Sequence, residues 1–435
     1  MKTDVCSQLE SALEPLDCDA LARSTGFCRR LPKKLPPLTF VQSACLLLTE
    51  PVVSLRRWAM LIGLLTNLTY AKQSLFERLN QRAVNFLQRV LQALLATLSL
   101  GQQRVLPPEL DAFERVILQD STLLTLSPKL AGFFPGSRNQ SSPRRQSQLR
   151  VQAFYDLKHE RFLYFSHGPF NRNDLSAAQE GLEQLRPGDL FVRDLGYLVL
   201  AVLRRLQDSG VRYLSRFKHN LRVFEPGGQP LDLARLLRHR TRPLDKDVLV
   251  GAKEQLPVRL VAIPLAEELA NQRRHQARHN RHFHASRQHV ILAGWEIFIT
   301  NVGREVWSPK VVAQIYHLRW RIETIFKAWK SHFNLENAPA GSRVEVEAFL
   351  YARLLLITIF EVCLLARWDY RFQSQTPTGL SLLKVADFLP LCLSAGWLAQ
   401  LQPHLEGALL KQIRYHCTYE RRTQRQSYLQ MLKLT

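Results

Sequence analysis

The segment Ile315–Leu335, IYHLRWRIETIFKAWKSHFNL, contains neither proline nor glycine, and its apolar residues recur at helical spacing. Ser308 suits an N-cap with Pro309 at the first helical position, so one helix is expected from there to Leu335. At roughly 100° per residue, with Tyr316 at zero, Arg319 falls near 300°, Glu323 near 340° and Lys330 near 320°. These four share a narrow polar stripe. Ile315, Leu318, Ile322, Ile325, Phe326, Trp329 and Phe333 make the adjoining apolar stripe, which predicts burial on a core. A solvated helix also carries charges off its apolar face. Here, however, one carboxylate stands among Arg319, Arg321, Lys327 and Lys330, an excess of cations that points to a polyanion nearby.

The order Tyr-(2)-Arg-(3)-Glu-(6)-Lys, met at Tyr316, Arg319, Glu323 and Lys330, resembles without departure the signature of the insertion-sequence-4 family of bacterial DDE transposases. The resemblance covers roughly Glu114–Leu335. It implies an α/β fold: a ribonuclease-H-like catalytic core with a mixed sheet, interrupted by a β-rich insertion, with helical N- and C-terminal regions. Such a core places one acid on its first strand, a second just after its fourth, and a third on the signature helix. Asp120 is followed by Ser121-Thr122, and Asp194 by Leu195-Gly196-Tyr197, both as in the family. Carried over, Asp120, Asp194 and Glu323 are the catalytic metal ligands. Tyr316, Arg319 and Lys330 would engage phosphates near the transposon end.

Composition agrees with such a partner. The 435 residues carry a formal net charge of +22 with 46% hydrophobic residues, so the chain is globular and suited to nucleic acid or an anionic surface. Met1–Pro37 does not read as a signal peptide. The longest apolar run, Phe349–Trp368, is interrupted by Arg353, Glu361 and Arg367, which favours a buried helix over a membrane span. Seven cysteines, at 6, 18, 28, 45, 363, 392 and 417, form no CxxC pair, as expected of reduced thiols in a cytoplasmic protein.

Along the chain, residues 1–37 read as an arm and linker, and 38–110 as a helical region. Its clearest helix is Leu75–Leu98, with a capping box at Ser74 and Glu77. Arg56, Arg57, Lys72, Arg78 and Arg82 suit either a helix-turn-helix-like DNA reader or a helical cap on the core. Residues 111–217 are the first part of the catalytic core. Val116–Asp120 is a short strand ending in an acid, Gln148–Tyr155 and Arg161–Phe165 continue a meander, and Leu190–Asp194 repeats the pattern. Helices are expected over Asn173–Leu185 and Leu195–Ser209, and a strand over Val211–Phe217. From Asp194 to Glu323 is too far for one helix, one strand and a loop. Residues 218–304 therefore hold the insertion, with strands at Val258–Leu265 and His289–Val302. Residues 305–340 return to the core. Residues 341–435 form a helical region whose apolar Val344–Leu410 helices serve either as a dimer interface or as a cover.

Phosphodiester chemistry gains from divalent cations that activate the nucleophile and steady the leaving oxygen, and hard cations prefer carboxylate oxygens. Two Mg²⁺ ions, with Mn²⁺ as a substitute, are the expected cofactors. In some family members a tryptophan of the insertion stacks in place of a flipped base. Trp295 matches that place, against an ordinary strand aromatic, with Trp307 and Trp320 as alternatives. His275, His279, His282, His284 and His289 invite a metal reading. Five interleaved arginines, Arg273, Arg274, Arg278, Arg281 and Arg287, favour a DNA-contacting segment instead.

The expected function is therefore cut-and-paste DNA transposition. The protein would bind inverted-repeat ends, hydrolyse a phosphodiester to free a 3′-OH and join it to target DNA. The partners are double-stranded DNA and a second copy of the chain in a synaptic dimer, with no membrane. The alternatives are a metal-dependent nuclease on the same core and a DNA-binding relative without turnover.

Overall fold

The sheet contains a pair of adjacent parallel strands, β1 (Val116–Leu126) and β4 (Leu190–Arg193). The computed structural model describes residues 11–30, 34–50, 52–97, 106–137, 146–279, 285–333, 335, 341–365, 368, 380–388 and 405–418. Arg281, His282, His284, Cys6, Cys392, the breaks near Thr376–Gly379 and Pro403, and the basic tail beyond residue 418 lie outside them.

β2 (Ser147–Asp156) pairs antiparallel with β1, and β3 (Arg161–Pro169) antiparallel with β2. On the other side β4 pairs with β5 (Arg212–Arg216), again in parallel, through helix α6 (Leu200–Asp208). This is the expected mixed core sheet. The expected insertion is built directly onto it. β10 (Trp295–Thr300) pairs antiparallel with β5, and β9 (Leu256–Pro264), β8 (Leu244–Val250), β6 (Val223–Phe224) and β7 (Pro230–Leu231) follow outward. One sheet of ten strands results, in the order β3-β2-β1-β4-β5-β10-β9-β8-β6-β7.

Alternation along the strands sends side chains to two apolar cores. Ile117, Phe191 and Tyr213 face one, beside α6, α7 (Leu233–Leu237) and α9 (Arg287–Leu292). Leu118, Val192 and Leu214 face the other. That second face is covered by α10 (Pro309–His317), α11 (Trp320–Ser331) and α12 (Arg343–Ile359), and by the N-terminal helices α1 (Cys18–Ser24), α2 (Pro37–Leu47), α3 (Leu55–Thr66), α4 (Lys72–Arg78) and α5 (Gln81–Thr97).

Several expected elements are interrupted. Leu75–Leu98 is two helices, because the Asn80 side chain accepts from the Arg82 and Ala83 amides and so starts α5 anew. Ser74 makes no capping box; α4 begins after Ala71 instead. Asn173–Leu185 yields only 3₁₀ turns, Ser176–Gln179 and Leu182–Gln184. Between them Gly181 sits at φ +69°, where an added Cβ would meet the Tyr164 and Phe154 rings. His289–Val302 begins as helix α9 before it becomes β10.

α12 begins with a complete capping box at Ser342 and Glu345, and every residue from Glu345 to Ile359 is buried. It packs on α2 and α5 of the same chain, which corrects the dimer-interface reading for this helix in favour of the cover. Among the described residues no helix is long and apolar enough to cross a membrane. Four described cysteines, Cys18, Cys28, Cys45 and Cys417, are buried free thiols.

Candidate active site

Parallel register brings the two aspartates together. β1 and β4 end their pairing at Gln119 and Arg193, so Asp120 and Asp194 are the next residues on adjacent strands. β1 does not stop at Asp120, as expected, but continues to Leu126 because Ser121–Leu126 stay paired with β2. Asp120 therefore lies within a strand, just beyond the carboxyl end of β4. Crevices outside the carboxyl ends of parallel strands are where α/β sheets place their ligand sites.

The signature segment closes over this point as two helices rather than one. Pro309 stands at the first turn of α10 as expected, although the Ser308 side chain makes no cap bond. α10 ends at His317 and α11 starts at Trp320, with Leu318 and Arg319 in the joint. The backbone tightens there to three-residue hydrogen bonds, from the Arg319, Arg321 and Ile322 amides to the Tyr316, Leu318 and Arg319 carbonyls. The joint turns the Arg319 guanidinium inward. Its Nη1 donates to Asp120 Oδ2 at 2.6 Å, and its Nη2 donates to Glu323 Oε1. The Tyr316 hydroxyl donates to Asp194 Oδ1 at 2.9 Å. Thus each of the three acids is held by Tyr316 or Arg319.

Burial raises the Asp120 carboxyl to about 7; Arg319 and the Ser121 amide oppose this, while Glu323 and Asp194 add to it. The mutual influence of the three acids places them in one electrostatic unit. For Arg319 burial acts to lower the pKa, but Asp120 above all, with Tyr316, Asp194 and Glu323, holds it above the usual range. Burial and Asp194 keep the Tyr316 phenol protonated. Glu323 is about half exposed, the most open of these groups, and is held by Arg319.

The donors are all carboxylate oxygens, the type a hard divalent cation takes. Among the described residues no three acidic, histidine or cysteine side chains are gathered tightly enough to chelate, because Arg319 lies between Asp120 and Glu323. The set suits Mg²⁺ in chemistry, with Arg319 as the present counter-ion.

The other expected contacts divide. Lys327 is exposed one turn beyond Glu323, and Lys330 is partly buried at the last turn of α11. Arg273, Arg274 and Arg278 lie on α8 (Glu267–Arg278), where Arg278 is exposed and Arg274 reaches Asn271. Two expectations need correction. Arg321 is buried and turned toward Glu160 at 3.6 Å, since the break at Leu318–Arg319 rotates it into the core. Trp295 is only 4% exposed and packs in the core on the far face of the sheet, so its place is that of a strand aromatic and not a base-stacking surface. Trp307 is buried as well and donates to the Glu109 carbonyl. Trp320 is the exposed alternative, with its ring stacked on His317. Trp295→Ala should lower the free energy of unfolding by about 3–5 kcal/mol, as for other buried tryptophans. An unchanged denaturant midpoint would restore it to the surface.

Sequence reasoning missed a second layer. Asp174 Oδ1 accepts from the Ser121 hydroxyl at 2.7 Å, from Arg150 at 3.1 Å and from Gln152 at 3.2 Å, tying β1 and β2 beside Asp120. Asp174 also lies against Gly196, where a Cβ would come within 3.0 Å of its carboxylate. Arg216 was missed too: its guanidinium lies over the Tyr316 ring, 5.9 Å from the centroid. No local motif marks these residues, because their partners are distant in sequence.

Residues 111–359, more than half of the chain, match the family described as Transposase DDE domain. The chain is 28% identical over 376 residues to the transposase for insertion sequence element IS231F of Bacillus thuringiensis subsp. israelensis, covering 80% of this chain and 77% of that one. It is 28% identical over 377 residues to the transposase for IS231C of Bacillus thuringiensis subsp. berliner, covering 81% and 78%. To the transposase for IS1151 of Clostridium perfringens it is 26% identical over 314 residues, covering 66% and 65%.

Proposed function

The chain belongs to the DDE transposases, which act in DNA transposition, and from this premise we propose that Asp120, Asp194 and Glu323 are the catalytic ligands of its divalent cations. The observation that carries this reading is the register that sets Asp120 beside Asp194 beneath Tyr316, Arg319 and Glu323. Asp120 and Asp194 would hold the ion between the strand ends, and Glu323 would swing from Arg319 to complete the set. When bound, Mg²⁺ supplies an activated attacking oxygen and charge neutralisation at the leaving one; two ions, with Mn²⁺ able to substitute, suit in-line displacement. The chain's own groups position the DNA. Arg319, released from the carboxylates, offers a planar fork to phosphate oxygens, and Lys330 and Lys327 continue the cationic face of α11. Tyr316 keeps Asp194 oriented by its hydroxyl.

In the reaction so read, water cleaves a phosphodiester at the element's end and the freed 3′-OH attacks target DNA. A synaptic dimer on two ends is part of the proposal. Exposed Arg56, Arg57, Lys72 and Arg82 on the N-terminal helices favour end recognition by that layer. Domain boundaries at 110, 217, 304 and 340 are proposed on the same basis; the expected arm and linker over 1–37 is corrected, because α1 and the buried Leu13, Ala22 and Leu35 pack into the same core as the helices that follow.

Cleavage of a duplex carrying the element's terminal repeat should require Mg²⁺, vanish in EDTA and return on adding Mg²⁺ or Mn²⁺. Cleavage persisting in EDTA would overturn the assignment. Cleavage without joined product would favour the nuclease alternative.

A further inference from the structure

Beside the carboxylate site, four elements bring two arginines and a histidine onto a single acid. Glu296 on β10 lies 3.6 Å from Arg273 of α8, 4.0 Å from Arg216 of β5 and 3.6 Å from His317 of α10. The Glu296 side chain is 15% exposed, whereas those of Arg273, Arg216 and His317 are 33%, 35% and 39% exposed. All three separations exceed the roughly 2.7–2.9 Å of a locked charge-assisted hydrogen bond. The three partners are gathered around Glu296 at longer range than that, and each is about a third or more exposed. His317 foremost, with the two arginines, holds the Glu296 carboxyl below its ordinary range against the effect of burial, so the acid is ionised.

One carboxylate cannot neutralise two permanently charged arginines, so the cluster keeps a positive excess. It is also continuous with the catalytic centre. Arg216 and Arg319 each lie 5.9 Å from the centroid of the Tyr316 ring, and Tyr316 holds Asp194. A row of cations therefore runs from α8 through Arg216 to Arg319. An ionised carboxylate and a phosphodiester carry the same single charge on two oxygens, and each is matched by arginine forks.

We propose that Arg216, Arg273 and His317 form a phosphodiester-binding site for DNA running on from the catalytic carboxylates, and that Glu296 occupies it as an internal phosphate mimic until DNA displaces it. The proposal rests on the transposase reading above and adds a device to it. Glu296 lowers affinity for DNA in general, so that only a duplex held elsewhere on the protein gains these contacts.

The test is binding of a duplex of arbitrary sequence to the full chain across a salt series. Glu296→Gln keeps the side chain's shape and removes its charge. It should bind about tenfold more tightly than wild type, with a log–log salt slope steeper by about 1 or more, since phosphate then takes the place of the carboxylate. Adding Arg216→Ala and Arg273→Ala to Glu296→Gln should cancel the gain. Arg216→Ala alone should weaken binding and flatten the slope, which serves as the second variant if Glu296→Gln lacks a cooperative thermal transition. Equal or weaker binding by a folded Glu296→Gln, or an unchanged slope for Arg216→Ala, overturns the phosphate-mimic assignment while leaving the transposase reading intact. A wild-type protein that binds no DNA would fail the underlying reading instead.

Discussion

Alanine at Asp120, Asp194 or Glu323 should abolish strand cleavage, by about 10³-fold or more, while DNA binding remains. The magnitude follows from removing a ligand that serves the transition state: about 4 kcal/mol of lost charge stabilisation corresponds to roughly a thousandfold in rate. Binding should survive because the cationic surface, not the acids, meets the phosphates. Asp120→Ala in particular frees one arm of Arg319, so its DNA affinity should equal or exceed that of wild type. Asp194→Asn is the most discriminating substitution. It can still accept from the Tyr316 hydroxyl, so the local packing persists while the negative charge is lost. Single-turnover cleavage of end-bearing duplex in Mg²⁺, alongside gel-shift binding, separates the two effects. A near wild-type rate in any one of the alanine variants removes that residue from the site.

The parts of the site legible in the sequence are those set by local pattern. An apolar run followed by an acid is a weak signal alone, and it is the family resemblance carried by the Tyr316, Arg319, Glu323 and Lys330 spacing that singles out Asp120 and Asp194 as candidates. What was not legible depends on partners far along the chain. Nothing between Ser308 and Leu335 breaks a helix by composition, yet the backbone tightens at Leu318–Arg319, where the Arg319 side chain meets Asp120, 199 residues away in sequence. A continuous helical wheel puts Arg321 at roughly 140°, off both stripes, and its charge alone suggests a DNA contact, when its partner is Glu160 in the β2–β3 turn. The acid at Asp120 reads as a strand terminator, but pairing with β2 carries the strand through it. Likewise the insertion's union with the core rests on the β5–β10 register, which no local pattern encodes. Trp295 shows the limit of position-matching. A strand alternates its faces, and one residue's shift decides between a core and a DNA-facing side chain.

Arg319→Ala should reduce cleavage by about 10²–10³-fold and alter DNA affinity by less than about 1 kcal/mol. Three contacts make Arg319 more than a surface charge. It bridges Asp120 and Glu323, it lies over the Tyr316 ring, and its side chain is only 10% exposed. Removing it leaves Asp120, itself 15% exposed, without its counter-ion, and an uncompensated buried charge costs about 3–5 kcal/mol. Asp120 meets this cost by binding a proton more readily, which also opposes cation binding. The rate loss should therefore be larger at pH 6 than at pH 8, and higher Mg²⁺ should recover part of it. Arg319→Lys should recover little, because one ammonium cannot span two carboxylates as a guanidinium does. Lys330→Ala, at the far end of α11, should cost about tenfold in rate, as expected of a phosphate contact away from the acids. Single-turnover rates at saturating protein, with thermal unfolding measured in parallel, distinguish lost chemistry from lost fold. If folded Arg319→Ala and Lys330→Ala both cleave at the wild-type rate, Arg319 is a structural counter-ion of the carboxylates and neither residue takes part in holding DNA for cleavage.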